Sequence, residues 1–199
     1  MRKIYLISPN KLDEEFYSFL PKILATKKVK YLQLRCKNYS KKILVKHIQK
    51  ILPIVQKYKI RLIINDYADI ASKFRNVGFH LGQNDLVKNK TYLNLYKKKF
   101  FGVTCHNSLN LAKEAILLNS SYVAFGAFFP TNTKKIKFVA TKNILQKAKK
   151  LKTVIIAIGG ITNRNYKNLL VCGANYIAIS GFVWKNKEFN PLQALKLFK

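Results

Sequence analysis

Asp66 and Asp85 are two of only eight acidic residues in a chain that carries 38 lysines and arginines. Asp66 ends the run Arg61-Leu62-Ile63-Ile64-Asn65-Asp66, and nineteen positions later Asp85 follows Gly78-Phe79-His80-Leu81-Gly82-Gln83-Asn84. The other acids have ordinary explanations. Asp13, Glu14 and Glu15 open a helix, Asp69 sits in the first turn of another, Glu114 lies on a helix face and Glu188 near the tail. Negative charge is favourable at a helix start. Asp66 and Asp85 instead read as caps on two consecutive apolar strands, where the two carboxylates could meet. A hard cation such as Mg²⁺ is held by one or two carboxylates, retained waters and the phosphate oxygens of a substrate. The competing explanation is a salt bridge from each carboxylate to a nearby Lys or Arg.

Three further clusters carry chemistry. Gln33, Arg35 and Lys37 alternate along one strand end, so they share a side and offer an amide, a planar fork of donors and a point charge to a diphosphate or carboxylate. Thr131, Thr133 and Lys134 follow Pro130 in a hydroxyl-rich turn with a cation, which can wrap terminal phosphate oxygens or be an ordinary loop. Gly159-Gly160 and Ile179-Ser180-Gly181 each end an apolar run, where glycine lets a backbone approach an anion closely. His80 falls within a strand, as an interior hydrogen-bonded residue would. His106 lies nearer a strand end, and His47 is placed on a helix surface. No Ser-His-Asp or Cys-His order stands out, and Cys36 and Cys105 read as small core residues rather than nucleophiles.

Positioning these groups requires strands and helices in alternation. Apolar, β-branched runs at 3–8, 31–36, 61–66, 78–82, 100–105, 122–128, 154–160 and 176–180 predict eight strands. Helical patterns fall at 13–26, 40–58, 67–74, 88–98, 108–119, 141–151, 163–173 and 191–198, with Asp13, Ser40, Ser108 and Thr141 as caps and Gly173 as a C-terminal stop. Runs such as Val154 to Ile158 are apolar throughout, as strands covered on both faces should be. Eight βα units without a linker predict a single (β/α)₈ TIM barrel, an α/β fold, over residues 1–199. A doubly wound sheet is the fallback. The barrel demands that functional groups lie at the C-terminal ends of strands, and the polar residues named above comply. The loops after strands seven and eight, with Gly160, Ile179 and Ser180, then stand where barrels commonly bind a phosphate through backbone N–H groups.

Composition narrows the function classes. The hydrophobic fraction of 49% supports a packed core and excludes a disordered chain. The net charge of +30 comes from 33 Lys and 5 Arg that are scattered rather than gathered in an Arg-rich, aromatic-laced stripe. With abundant Asn, Ile, Tyr and Phe, this resembles the output of AT-rich codons, so nucleic acid is not the expected partner, although anionic small molecules would be drawn in. The three cysteines form no CxxC pair, which argues against disulfides and zinc and for a reducing compartment. Met1-Arg2-Lys3 precedes only four apolar residues, too few for a signal core, and no run approaches a membrane span of about 20 residues. The expectation is a cytoplasmic protein without membrane attachment. Two carboxylates for a metal, a cationic diphosphate grip and a separate monophosphate nest suggest two phosphorylated substrates and transfer of a carbon group away from diphosphate.

The ordered set of short motifs resembles a known family. Gln33-Leu34-Arg35-x-Lys37, Ile64-Asn65-Asp66, His80-Leu81-Gly82-Gln83-x-Asp85, Gly102-Val103-Thr104-x-His106, Gly126 with Pro130-Thr131-x-Thr133-Lys134, and Ala157-Ile158-Gly159-Gly160-Ile161 look like the motifs of thiamine phosphate synthases. The resemblance spans almost the whole chain. It implies joining of hydroxymethylpyrimidine diphosphate to thiazole phosphate, giving thiamine monophosphate and diphosphate. It implies Mg²⁺ on Asp66 and Asp85, diphosphate and pyrimidine binding by Gln33, Arg35, Lys37, Asn65, Thr104 and Lys134, and thiazole phosphate binding by Thr131, Thr133, Gly160, Ile179 and Ser180. The chain departs from the family at Thr104, commonly Ser, at Tyr67, commonly Arg, at Asn84, often acidic, and over Lys135 to Ala140, where Gly or Pro is common. The related thiazole tautomerases, for which His106 would be the proton carrier, are the alternative on the same scaffold. A non-catalytic binder of nucleic acid or other anions is the alternative from another class.

Overall fold

Strand formation follows the β-branched and aromatic runs, and each strand pairs with its chain neighbours, the first and last strands also pairing with each other. A computed structural model describes residues 2–89, 99–131 and 138–199. Its strands are β1 (Ile4–Ile7), β2 (Val29–Leu34), β3 (Arg61–Asn65), β4 (Val77–Leu81), β5 (Phe101–His106), β6 (Tyr122–Gly126), β7 (Val154–Ile158) and β8 (Tyr176–Ile179). All pairings are parallel, and β8 returns to β1 to close the barrel in chain order. The helices are α1 (Glu14–Ala25), α2 (Lys41–Lys57), α3 (Ala68–Ser72), α4 (Gln83–Asn89), α5 (Leu109–Leu117), α6 (Lys142–Ala148), α7 (Tyr166–Cys172), α8 (Gly181–Trp184) and α9 (Pro191–Lys196). The expected (β/α)₈ TIM barrel is therefore the fold.

Side chains alternate between two apolar layers, because a strand's period of two sends neighbours to opposite faces. Ile4 and Leu6 join the large layer between barrel and helices, while Tyr5 and Ile7 point inward. The inner layer is unusually aromatic. Tyr5, Tyr31 and Tyr122 fill the barrel axis, with Phe100 and Tyr176 packed against them. The functional groups consequently sit above a solid floor rather than over a channel.

Several local expectations are met in detail. Asp13, Ser40 and Ser108 accept hydrogen bonds from the backbone N–H groups of Phe16, Ile43 and Leu111. Gly173 ends α7 with φ +123°, a value that suits only glycine. Thr141 is different: it precedes α6 in extended conformation but makes no side-chain cap, and its N–H instead donates to Asn107 Oδ1 at 3.2 Å. β2 begins and ends two residues earlier than expected, so Arg35 and Cys36 lie just past the strand. The fourth helix starts at Gln83 rather than residue 88, because Leu86 N–H already closes a turn onto the Gly82 carbonyl at 2.8 Å. Asp85 thus stands in the first turn of α4, and the helix-start explanation given for the other acids applies to it as well. His47 is not a bare surface residue: its ring is half-buried, stacked on Tyr39 and Tyr17, with Tyr17 Oη 2.6 Å from Nδ1.

Candidate active site

A cavity of about 540 Å³ opens at the C-terminal ends of the strands, where the barrel reading places function. The β2 end and the loop after it contribute Gln33, Arg35 and Lys37, the β3 end contributes Asn65 and Asp66, and the β4 end contributes His80, Gly82 and Asp85. Thr104 and His106 come from β5, Thr131 from the loop after β6, Gly160 from the β7 end, and Ile179 and Ser180 from the β8 end. Every expected site residue among those described lines this one cavity. Thr133 and Lys134 lie outside the described residues.

A line of amides holds the carboxylates. Gln33 Nε2 donates to Asn65 Oδ1 at 3.3 Å, and Asn65 Nδ2 donates to Asp66 Oδ2 at 2.6 Å. Asn65 is thereby fixed in orientation, with its oxygen toward Gln33 and its nitrogen toward the carboxylate. Asp66 itself has φ +67°, a left-handed turn stabilised as its N–H donates to the His80 carbonyl at 2.9 Å. That turn lifts the carboxylate off the strand and toward α4. There it faces Asp85, close enough for the two carboxyl groups to act on one another. Burial first, and then the charge and hydrogen bond of Asp85, push the Asp66 carboxyl up to about 6; Lys37 and Arg35 pull the other way. Burial lowers the Arg35 guanidinium, and the Asp66 charge partly restores it.

Among the described residues a salt bridge joins Lys41 to Asp69, 2.7 Å apart on the exposed surface, while Asp66 accepts from Asn65 and faces Asp85. Two carboxylates forced together, one raised toward neutrality, form a donor set a divalent cation would relieve. Among the described residues no cluster of three or more His, Cys, Asp or Glu could hold a metal. A two-carboxylate set fits Mg²⁺ completed by substrate oxygens, and it does not fit a fully protein-ligated metal. Cys36 and Cys105 are buried, and burial raises their thiols to about 11 and about 12, so neither is a ready nucleophile.

The opposite wall is built from backbone. Gly159 and Gly160 have φ +102° and +61°, and a Cβ on Gly160 would stand 2.3 Å from the Pro130 carbonyl oxygen. The loop after β6 lies directly across this turn, with Phe128 and Phe129 N–H donating to the Ile158 and Gly159 carbonyls, each at 3.1 Å. On the other side Ser180 opens α8, its Oγ donating to the Ser8 carbonyl at 3.3 Å, while Trp184 Nε1 donates to the Ile7 carbonyl at 2.8 Å. These bonds fasten the β8 loop onto β1.

With this geometry, comparison with known proteins is informative. The family model described as "Thiamine monophosphate synthase" matches residues 4–183. The chain belongs to the thiamine monophosphate synthase family. It is 46% identical over 203 residues to the thiamine-phosphate synthase of Pelagibacter ubique, covering 98% of this chain and 95% of that protein. It is 35% identical over 198 residues to the Rhodospirillum centenum thiamine-phosphate synthase, with the same two coverages. Among solved structures it is similar to the thiamine phosphate pyrophosphorylase of Pyrococcus furiosus, with TM-score 0.81 and 23% identity over 99% of this chain and 93% of that one. At that identity the likeness speaks for the fold.

Within the thiamine monophosphate synthase family site, some lining residues escape a reading of the sequence. Phe182 enters the cavity from α8, Lys185 from the residue that ends it, and Phe138 from the segment after the β6 loop, with its ring centroid 4.2 Å from that of His106. α8 spans only four residues, too few to show a helical period. The available signal was Ser180, a cap-type residue directly before a short apolar run. The double glycine carries a prediction. Gly160→Ala combines a left-handed backbone with a clash on a carbonyl, and should destabilise the fold by about 2–4 kcal/mol. Chemical denaturation would measure this. An unchanged midpoint would mean that the loop after β6 does not rest on the turn.

Proposed function

We propose that the protein is a Mg²⁺-dependent thiamine-phosphate synthase, a transferase that joins hydroxymethylpyrimidine diphosphate to thiazole phosphate with release of diphosphate. The observation that carries this reading is the juxtaposed Asp66–Asp85 pair, sharing one cavity mouth with Arg35 and Lys37, in a chain of this family. The substrate diphosphate lies against Arg35 and Lys37, with Gln33, Asn65 and Thr104 supplying neutral polar contacts. Thiazole phosphate lies across the cavity, on Thr131, Gly160 and the backbone at Ile179 and Ser180. Mg²⁺, held by Asp66 and Asp85, would neutralise charge on the leaving diphosphate.

The reaction breaks the bond between the pyrimidine methylene carbon and the diphosphate oxygen, whose electron pair leaves with the diphosphate. The resulting pyrimidine-methyl cation accepts the lone pair of the thiazole nitrogen. The side chains therefore bind, orient and screen charge, and no general base is needed. Ile7, Ile158 and Phe138 line the same cavity and help keep water from the cation. No helix among the described residues is long and apolar enough to cross a membrane, which is compatible with work in the cytoplasm on small phosphorylated substrates.

Mass spectrometry of a reaction with both substrates tests the proposal. With Mg²⁺, thiamine monophosphate should accumulate, and with EDTA it should not. A tautomerase would leave the pyrimidine diphosphate intact and isomerise only the thiazole. A nucleic-acid binder would give no product and would bind with steep salt dependence and no need for Mg²⁺.

A further inference from the structure

A chain of hydroxyl groups crosses the barrel interior beneath the site. Tyr5 Oη on β1 lies 2.8 Å from Tyr122 Oη on β6, and Tyr122 Oη lies 3.0 Å from His80 Nδ1 on β4. On the other side of the imidazole, His80 Nε2 lies 2.9 Å from Thr104 Oγ1 on β5, and Thr104 lines the cavity. The sequence makes room for this chain. Gly102 lacks the side chain that would block Tyr122, since a Cβ there would stand 2.0 Å from Tyr122 Cζ. The Tyr122 ring can therefore lie nearly parallel to the imidazole, with an interplanar angle of 14°. Gln83 Nε2 also donates to the Thr104 carbonyl, so Thr104 is gripped at backbone and side chain.

The direction of the chain follows from counting protons. Burial pushes both phenols far above their usual range, so each keeps its proton. Two phenols, one threonine and one neutral imidazole bring four protons to three links, so one proton must point out of one end. At the Tyr5 end it would enter the apolar interior, where the hydroxyl of the buried Tyr5 has Tyr122 as its hydrogen-bond partner among the described residues. At the Thr104 end it would enter the cavity. A charged imidazole would donate from both nitrogens, turn Tyr122 toward Tyr5, and again strand the Tyr5 proton. An unsatisfied buried donor is costly enough to bias such a choice on the order of tenfold or more.

We propose that His80 is a positioning residue, held neutral with its proton on Nε2 by the one-way chain Tyr5 to Tyr122 to His80 to Thr104. Thr104 accepts from His80, and its own hydroxyl proton is thereby turned into the cavity as a donor to the anionic group bound there. That the anion is a diphosphate rests on the proposed function; the proton arrangement does not.

The test begins with ¹⁵N-histidine-labelled full-length protein without ligand. The chain has three histidines, and His47→Gln and His106→Gln variants assign the signals. His80 should show a protonated Nε2 and a bare Nδ1 at neutral pH. A protonated Nδ1, or an imidazolium, would overturn the proposal whatever reaction the protein catalyses. Tyr5→Phe should leave the tautomer unchanged, because Tyr5 only donates, whereas Tyr122→Phe should shift the His80 signals. Titration of inorganic diphosphate with Mg²⁺ reads the role of Thr104. Thr104→Val and Tyr122→Phe should weaken binding by about five- to tenfold, and Thr104→Ser should restore it. Equal binding by all these variants would refute the positioning role, even if the tautomer is as stated. Failure to form thiamine monophosphate would instead count against the proposed reaction and leave the tautomer result standing.

Discussion

Replacing Asp66 or Asp85 by Asn should reduce Mg²⁺-dependent turnover by about three orders of magnitude while the protein stays folded. The two carboxyl groups are held close together, and the folded state tolerates this by raising Asp66 from 3.8 to about 6. A carboxyl raised in this way binds its proton more tightly folded than unfolded. The contribution of this group to stability is therefore fully present below about pH 4, is lost as pH rises from there through about 6, and is flat above that. Asp66→Asn removes this loss. At pH 7 in EDTA the variant should equal the parent or exceed it by about 1 kcal/mol, after allowance for solvent screening of a partly exposed group. Mg²⁺ with diphosphate should then raise the melting temperature of the parent and not of the variant. Loss of about 3–5 kcal/mol in EDTA would mark Asp66 as half of a structural ion pair. Full activity would remove it from the mechanism.

Arg35→Ala is expected to weaken the pyrimidine diphosphate substrate by roughly 30- to 100-fold, and Lys37→Ala by about tenfold. The difference reflects burial. Arg35 is half-buried at the end of β2, where burial already disfavours its charge and Asp66 offsets only part of this, so an anion has much to gain there. Lys37 is exposed, and solvent screens it. Thiazole phosphate is assigned to the far wall, so its affinity should change by less than about threefold. Separate titrations of the two ligands decide the matter. Equal losses for both would mean that the two anion sites have been exchanged or shared.

The barrel was legible because strand and helix patterns alternate and apolar runs are short and bounded. The site was legible because the fold confines function to strand ends, so Gln33, Arg35, Asn65 and Asp66 could be placed in one cavity from their positions alone. Asp85 lines the cavity, but it does not cap a strand as expected. Its turn belongs to α4, whose start at Gln83 is set by a backbone bond that no side-chain pattern announces. α8 is too short for a period to emerge. The Tyr5–Tyr122–His80 chain joins β1, β6 and β4, partners separated by up to 117 positions, and its enabling feature is the missing side chain at Gly102. Such contacts arise from closure of the barrel and have no local signature. The double glycine was read as a phosphate cradle, and the packing of Pro130 on Gly160 gives it a structural role as well.

Calorimetric titration of inorganic diphosphate into the wild-type protein, with Mg²⁺ and then with EDTA, tests most directly whether the mouth of the barrel seats a magnesium diphosphate. Binding should require Mg²⁺, and it should be lost in Asp66→Asn and strongly weakened in Arg35→Ala. Diphosphate binding that is equally tight in EDTA and unaffected by Asp66→Asn would contradict the account, because the cations alone would then hold the anion and the paired carboxylates would have no part in it.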